Sequence, residues 1–173
     1  MALTLYDAFV PTCRQILGAG AALVDRAEAH CTEHGIDAAD MIGSRLAPDM
    51  FPVPFQVHSM AHHSAGAIDA VREGVFTPTG PGPDQSFATL KAMLTEADAA
   101  LEAVDPAELE GMMGKTVMFK FGATEMPFTA ENFLLSFSQP NFFFHATTFY
   151  DVLRHRGVAL GKRAFLGMPR VGV

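Results

Sequence analysis

Apolar residues recur every three or four positions along four stretches of this chain, and at every second position along a fifth. In the first stretch, Leu5, Phe9, Cys13, Ile16, Leu23, Ala27 and Cys31 define one face of a long helix running from about Leu5 to Glu33. Thr4 is positioned to cap it, with Asp7 completing a short capping box, and Gly35 ends it. Pro11 falls inside and predicts a kink. Gly18, Gly20 and the neighbouring alanines make a thin face that another helix can approach closely. A second helix is predicted from about Pro54 to Glu73, with Val57, Met60, Ala61, Ser64, Ile68 and Val71 on one side and Gly74 as its stop. A third spans about Ser86 to Val104, capped by Ser86, with Leu90, Met93, Leu94, Ala97 and Leu101 as its stripe. The fourth starts after Thr129, meets Pro140, and continues to about Arg156 before Gly157. Phe133, Leu134, Phe137, Phe142, Ala146, Phe149 and Leu153 leave it nearly apolar all round, so it is expected to be the most buried.

The period changes to two between Lys115 and Phe128. Val117, Phe119 and Phe121 alternate with Thr116, Met118 and Lys120, then the chain turns at Gly122–Glu125 and returns through Met126–Phe128, with Pro127 marking an edge. Between the first and second helices, Asp37–Gly43 suits a short helix, and Pro48, Pro52 and Pro54 force an irregular path. Thr77–Asp84 is a surface loop, and Asp105-Pro106 begins a further short turn. The expected architecture is all-α: a four-helix bundle, one domain over residues 1–173, with a small β-hairpin between helices 3 and 4.

Length and charge narrow the classes. A chain of 173 residues with 49% hydrophobic and 18% charged positions can bury a full core without a disulfide or a structural metal. Its net charge of −7 offers no basic face for nucleic acid. The cations between Arg154 and Arg170 are read as the end of the fourth helix complementing its dipole. Asp7 precedes the first basic residue, Arg14, and no apolar run is long enough to span a bilayer, so a cytoplasmic protein free of membrane is expected. Cys13 and Cys31 lie roughly 27 Å apart on the first helix, too far to pair, and no cation adjoins either, so both are read as core thiols.

Two constellations carry candidate chemistry. His58, His62 and His63 sit in the second helix. His58 and His62 are four residues apart and share a face that can chelate a metal. On a continuous helix centred on Ser64, however, His58 and His62 fall roughly 120–160° from the apolar face and His63 roughly 100° to its other side, the arrangement of partly exposed polar residues. In the fourth helix, Asn141, His145 and Thr148 draw a polar stripe through apolar surroundings. Buried polar groups need partners, so this stripe either bonds to other helices or lines a cavity. Phe142, Thr148, Phe149 and Met60 are the candidate walls of such a pocket. No nucleophile elbow, phosphate loop or CxxC pair is present.

The segments LTLYDAFVP (Leu3–Pro11), RLAPDMFP (Arg45–Pro52) and PNFFFHATTFYDVLRHRGVALGKRAFLG (Pro140–Gly167) resemble an uncharacterised bacterial family of the DinB-like (DinB/YfiT-type) metalloenzyme superfamily. The resemblance spans nearly the whole chain. It implies a four-helix bundle, often homodimeric. Active members of that superfamily hold a divalent metal with three histidines, one from the second helix and an HxxxH pair from the last; some are thiol-dependent transferases or isomerases. Matching Leu153, Arg154 and Gly157 to the family's ending places His145 on the second histidine of the pair and Asn141 where the first would stand. The helix 2 ligand is His58, His62 or His63. The metal set implied is therefore His145 with His62 or His58 and Asn141, holding zinc or nickel. The competing expectation is a metal-free homodimer that binds a small apolar ligand.

Overall fold

The computed structural model describes residues 3–172. Helix α1 (Leu5–His34) is longer than any other and runs through Pro11 without a break. Its capping box is formed: the Thr4 hydroxyl accepts from the Asp7 amide, and the Asp7 carboxylate accepts from the Thr4 amide. Gly35 closes it at φ 64°, a left-handed conformation that suits glycine. A short α2 (Ala38–Ile42) follows its Asp37 cap. The second predicted helix is two, α3 (Val53–His62) and α4 (Ala65–Glu73), separated at His63–Ser64. Ser64 leaves helical geometry at φ −117° and ψ −87°, and its hydroxyl donates to Met60 O and Ala61 O, carbonyls at the end of α3.

Beyond α4, strand β1 (Val75–Phe76) leads to α5 (Phe87–Glu102), capped by Ser86 and Thr89 in a reciprocal box, and then to α6 (Pro106–Glu110). The alternating segment forms β2 (Thr116–Phe121) and β3 (Thr124–Thr129), antiparallel, with the turn at Gly122–Ala123. Pro127 lies on β3, an edge strand, as its missing N–H requires. The hairpin is not free-standing: β1 joins it in parallel, pairing Val75 with Met118 and Phe76 with Phe119, to give a small mixed sheet.

The last helix is also composite. A single turn, α7 (Ala130–Asn132), passes into a π-helical turn (Phe133–Ser138) and then α8 (Gln139–His155). Pro140 supplies the cause. It lacks an N–H and its ring crowds the carbonyl four residues back, and the widened turn before it accommodates both. Gln139 accordingly bonds back five residues, to Leu134 O. A last short helix, α9 (Lys162–Leu166), folds back onto α1.

The chain is thus mostly helical with a small mixed sheet, and the expected count of four helices is corrected to nine α-helical segments among the described residues. The four longest segments supply the core: α1 lies along α5, α3 along α8, and α3 crosses to α5. Phe9, Leu17, Leu23, Met60, Leu94, Phe142 and Phe149 are fully buried where they meet. Gly20 permits that approach, since a β-carbon there would stand 3.0 Å from Met60 Cε and 3.2 Å from Leu94 Cδ1. Gly18 has no such neighbour. Among the described residues no helix is long and apolar enough to cross a membrane.

Candidate functional site: two imidazoles between the third and eighth helices

The pairing of α3 with α8 brings two histidines together. The rings of His63 and His145 lie 6.0 Å apart, centre to centre, and within 11° of parallel. His63 is 8% exposed. Its position on α3 explains why. His63 caps the end of α3, seven residues after Gln56 and four after Ser59, both buried, so it continues the side of α3 that packs against α8. There it meets Phe76 at 5.2 Å and Phe137 at 5.6 Å, the latter presented by the π-helical turn.

Hydrogen bonding fixes the state of His145. Gln56, buried on α3, donates its amide to Phe51 O at 2.8 Å, which turns its Oε1 toward α8. His145 Nδ1 stands 2.8 Å from that oxygen, so Nδ1 carries the proton and donates. In the neutral ring, Nε2 then keeps its lone pair. His63 has the opposite circumstance: its Nδ1 is buried with no hydrogen-bond partner among the described residues. Burial, then the neighbouring His145, His62 and His58, push the His63 pKa down to about 3. Burial, then His58, push that of His145 down to about 4. Both rings are neutral at pH 7, the form that ligates metals.

The remaining residues singled out by the sequence are placed elsewhere. His58 and His62 stack on each other at 5.5 Å on the outer side of α3, half-buried under the following loop. His62 Nε2 donates to Thr77 O at 3.0 Å, and His58 Nε2 lies 3.0 Å from Thr79 Oγ1. Asn141 turns its amide back to donate to Phe137 O at 2.7 Å. Thr148 likewise donates to Phe144 O. Phe142, Phe149 and Met60 are core, and the void beside Met60 and Phe149 has no room for a water molecule. Among the described residues no three His, Cys, Asp or Glu side chains lie close enough to share a metal. Cys13 and Cys31 are free and buried, and burial raises both thiol pKa values.

Sequence periodicity overlooked the role of Gln56 and the inward placement of His63. The spacing of Gln56, Ser59 and His63, which puts three polar residues on one side of α3, was the available signal.

Comparison with known proteins bears on the family and the fold. A family described as a domain of unknown function, DUF1993, matches residues 5–166. The chain belongs to that family. Among solved structures, this DUF1993 protein is similar to a DinB family member from Shewanella denitrificans, at 26% identity and a TM-score of 0.79 over 98% of this chain and 95% of that one. No curated protein matches it. DUF1993 residues 5–166 contain every element from α1 to α9, so the imidazole pair lies wholly within the family's span.

Proposed function

We propose that this DUF1993 protein keeps the mostly helical DinB-like fold as a scaffold and holds a divalent metal of the zinc or nickel class through His63 and His145. One observation carries the reading: two neutral imidazoles face each other, one with a buried nitrogen lacking any partner and the other with its tautomer set by Gln56. An outer-shell amide or carbonyl that fixes a ligand ring in this way is the usual companion of a metal-bound histidine. Two nitrogens, His63 Nδ1 and His145 Nε2, are left open for ligation. The residues do not fit the three-histidine set of the wider superfamily, because Asn141 stands in the third place and its amide nitrogen is committed to Phe137 O. Its oxygen is a weak third donor. A metal held there supplies a Lewis acid with open positions for water or a thiolate. The protein's own part is to keep both rings neutral, to orient His145 through Gln56 and to wall the site with Phe55, Phe137 and Phe144.

Isothermal titration of chelator-treated, untagged protein with Zn²⁺ and Ni²⁺ tests this. Up to one equivalent should bind, and either His63→Ala or His145→Ala should weaken binding at least tenfold. The double variant His58→Ala/His62→Ala should bind as the parent does. Loss of binding in that double variant alone would move the site to the outer stacked pair.

A second reading has its own support. Phe51 and Phe144 are 60% and 58% exposed, and both lie in an aromatic group with Phe55 and His145. Exposed rings in one patch suit a small apolar ligand or a second copy of the chain. A metal-free protein that sediments as a dimer, and as a monomer when Phe51 and Phe144 are changed to serine, would favour this reading.

A further inference from the structure

Of the cations near the C-terminus, Arg154 lies in the last turn of α8, whereas Arg163 and Arg170 do not serve that helix. Among the described residues α8 ends at His155, and α9 with the segment after it returns across the outer face of α1. Gln15 donates to Leu166 O at 2.7 Å, and Gly167 sits against Ala19. Arg170 bonds to Thr12 Oγ1 at 3.1 Å. A groove of about 420 Å³ is left between the two segments, walled by Arg14, Arg26 and Arg163 and floored by Gly18, Ala22 and Met168. It shares no lining residue with the imidazole pair.

We propose that this groove binds a small ligand with an oxyanion head group and a short apolar body. Charge is the first argument. Arg14 is neutralised by Asp98 at 2.8 Å and Glu102 at 2.9 Å. Asp25, the carboxylate beside Arg26 in sequence, is engaged by Lys91 at 2.8 Å. Arg26 and Arg163 have no carboxylate partner among the described residues, although the chain as a whole carries a net charge of −7. Guanidinium groups present paired N–H donors that match the oxygens of a carboxylate or a phosphate.

Shape is the second argument. Gly18 is in the middle of α1 with helical geometry, where glycine is less favourable than alanine. Packing does not require it, because a β-carbon there meets nothing within 4 Å. What glycine does at this position is leave the floor of the groove open. Ala22, one turn on, extends the same flat apolar strip, and Met168 adds to it.

Phenyl phosphate, benzoate and phenol are suitable probes, titrated calorimetrically into the whole protein at low ionic strength. Phenyl phosphate or benzoate should bind, and the tighter of the two names the head group. Phenol should not bind measurably. Raising the salt to 0.5 M should weaken binding several-fold, since the groove is solvent-exposed. Arg163→Ala and Gly18→Leu should each reduce affinity at least tenfold. Gly18→Leu separates binding from folding, because filling open space on a helix leaves the protein at least as heat-stable as the parent. Absence of binding by both anions at 10-fold molar excess over millimolar protein, or equal affinity in the parent and Gly18→Leu, overturns the proposal.

Discussion

His63 is a residue whose placement opposes its own stability. Its Nδ1 is buried without a partner, a condition that costs about 1–3 kcal/mol relative to a satisfied or apolar group. It also stays neutral when folded, with a pKa near 3, while His145 stays neutral down to about 4. In the unfolded chain both titrate at the ordinary histidine value of about 6.5. The unfolded state therefore binds more protons below that value, and stability rises with pH across this window. Each ring contributes a slope of about 1.4 kcal/mol per pH unit between roughly pH 6 and 4, and nothing above about pH 7. Urea unfolding of metal-free protein from pH 7.5 to 4.5 should show at least the sum of these two slopes, to which His58 and His62, also lowered by burial, add. His63→Phe, an apolar ring among Phe76 and Phe137, should remove one ring's share of the slope, about 1.4 kcal/mol per pH unit, and raise stability at pH 7 by about 1 kcal/mol. An unchanged slope in that variant would mean that His63 is protonated in the fold. The metal proposed above would use that free nitrogen and offset the cost of burying it.

At the scale of elements, two glycines on α1 make opposite predictions. Gly20 faces Met60 and Leu94 closely, so Gly20→Leu forces the junction of α1, α3 and α5 apart and should cost about 1–3 kcal/mol. Gly18 faces open space, so Gly18→Ala should gain about 0.5–1 kcal/mol from helix propensity alone. Chemical denaturation midpoints of the two variants on opposite sides of the parent would bear this out. Only one of these glycines is a packing residue, although the sequence suggests the same reading for both. The contrast shows what a sequence can reveal. The bounds of α1, the caps at Thr4 and Ser86, and the turn at Gly122 depend on neighbours within a few residues, and all were legible. The parallel pairing of Val75-Phe76 with β2 depends on a strand about forty positions away, and two residues carry no readable period. The inward placement of His63 was hidden for another reason. A wheel counts only apolar residues as the buried face, and the polar Gln56 and Ser59 that share His63's side of α3 are buried too. His145 was legible because apolar residues surround it on its own helix; its partner was not, because α3 meets α8 only in the folded chain.

For the whole molecule, stability is divided unevenly, and the division bears on function. Helix α1 contributes buried side chains along its entire length, from Leu5 to Cys31, whereas α9 has none that is fully buried. Ala164 and Phe165 only lean on the core, and Phe165 packs edge-on to Tyr150 at 5.8 Å. Segments with few buried apolar contacts open locally at a small fraction of the global free energy. Native-state hydrogen exchange should therefore show two classes. Amides of α1, α5 and α8 should exchange near the global unfolding free energy and respond to urea. The amides of Ala164 and Gly167, bonded to Gly161 O and Arg163 O, should exchange several kcal/mol more easily and respond little. If α9 exchanges with the core, the arginine groove is a rigid surface. If it opens separately, Arg163 arrives at and leaves the groove with α9, and an anion that bridges Arg163 to Arg26 must slow exchange in α9 while leaving α8 unchanged. The imidazole pair, held between α3 and α8, belongs to the slow class. A metal bound there should raise protection across the whole core and therefore be distinguishable, amide by amide, from a ligand bound in the groove.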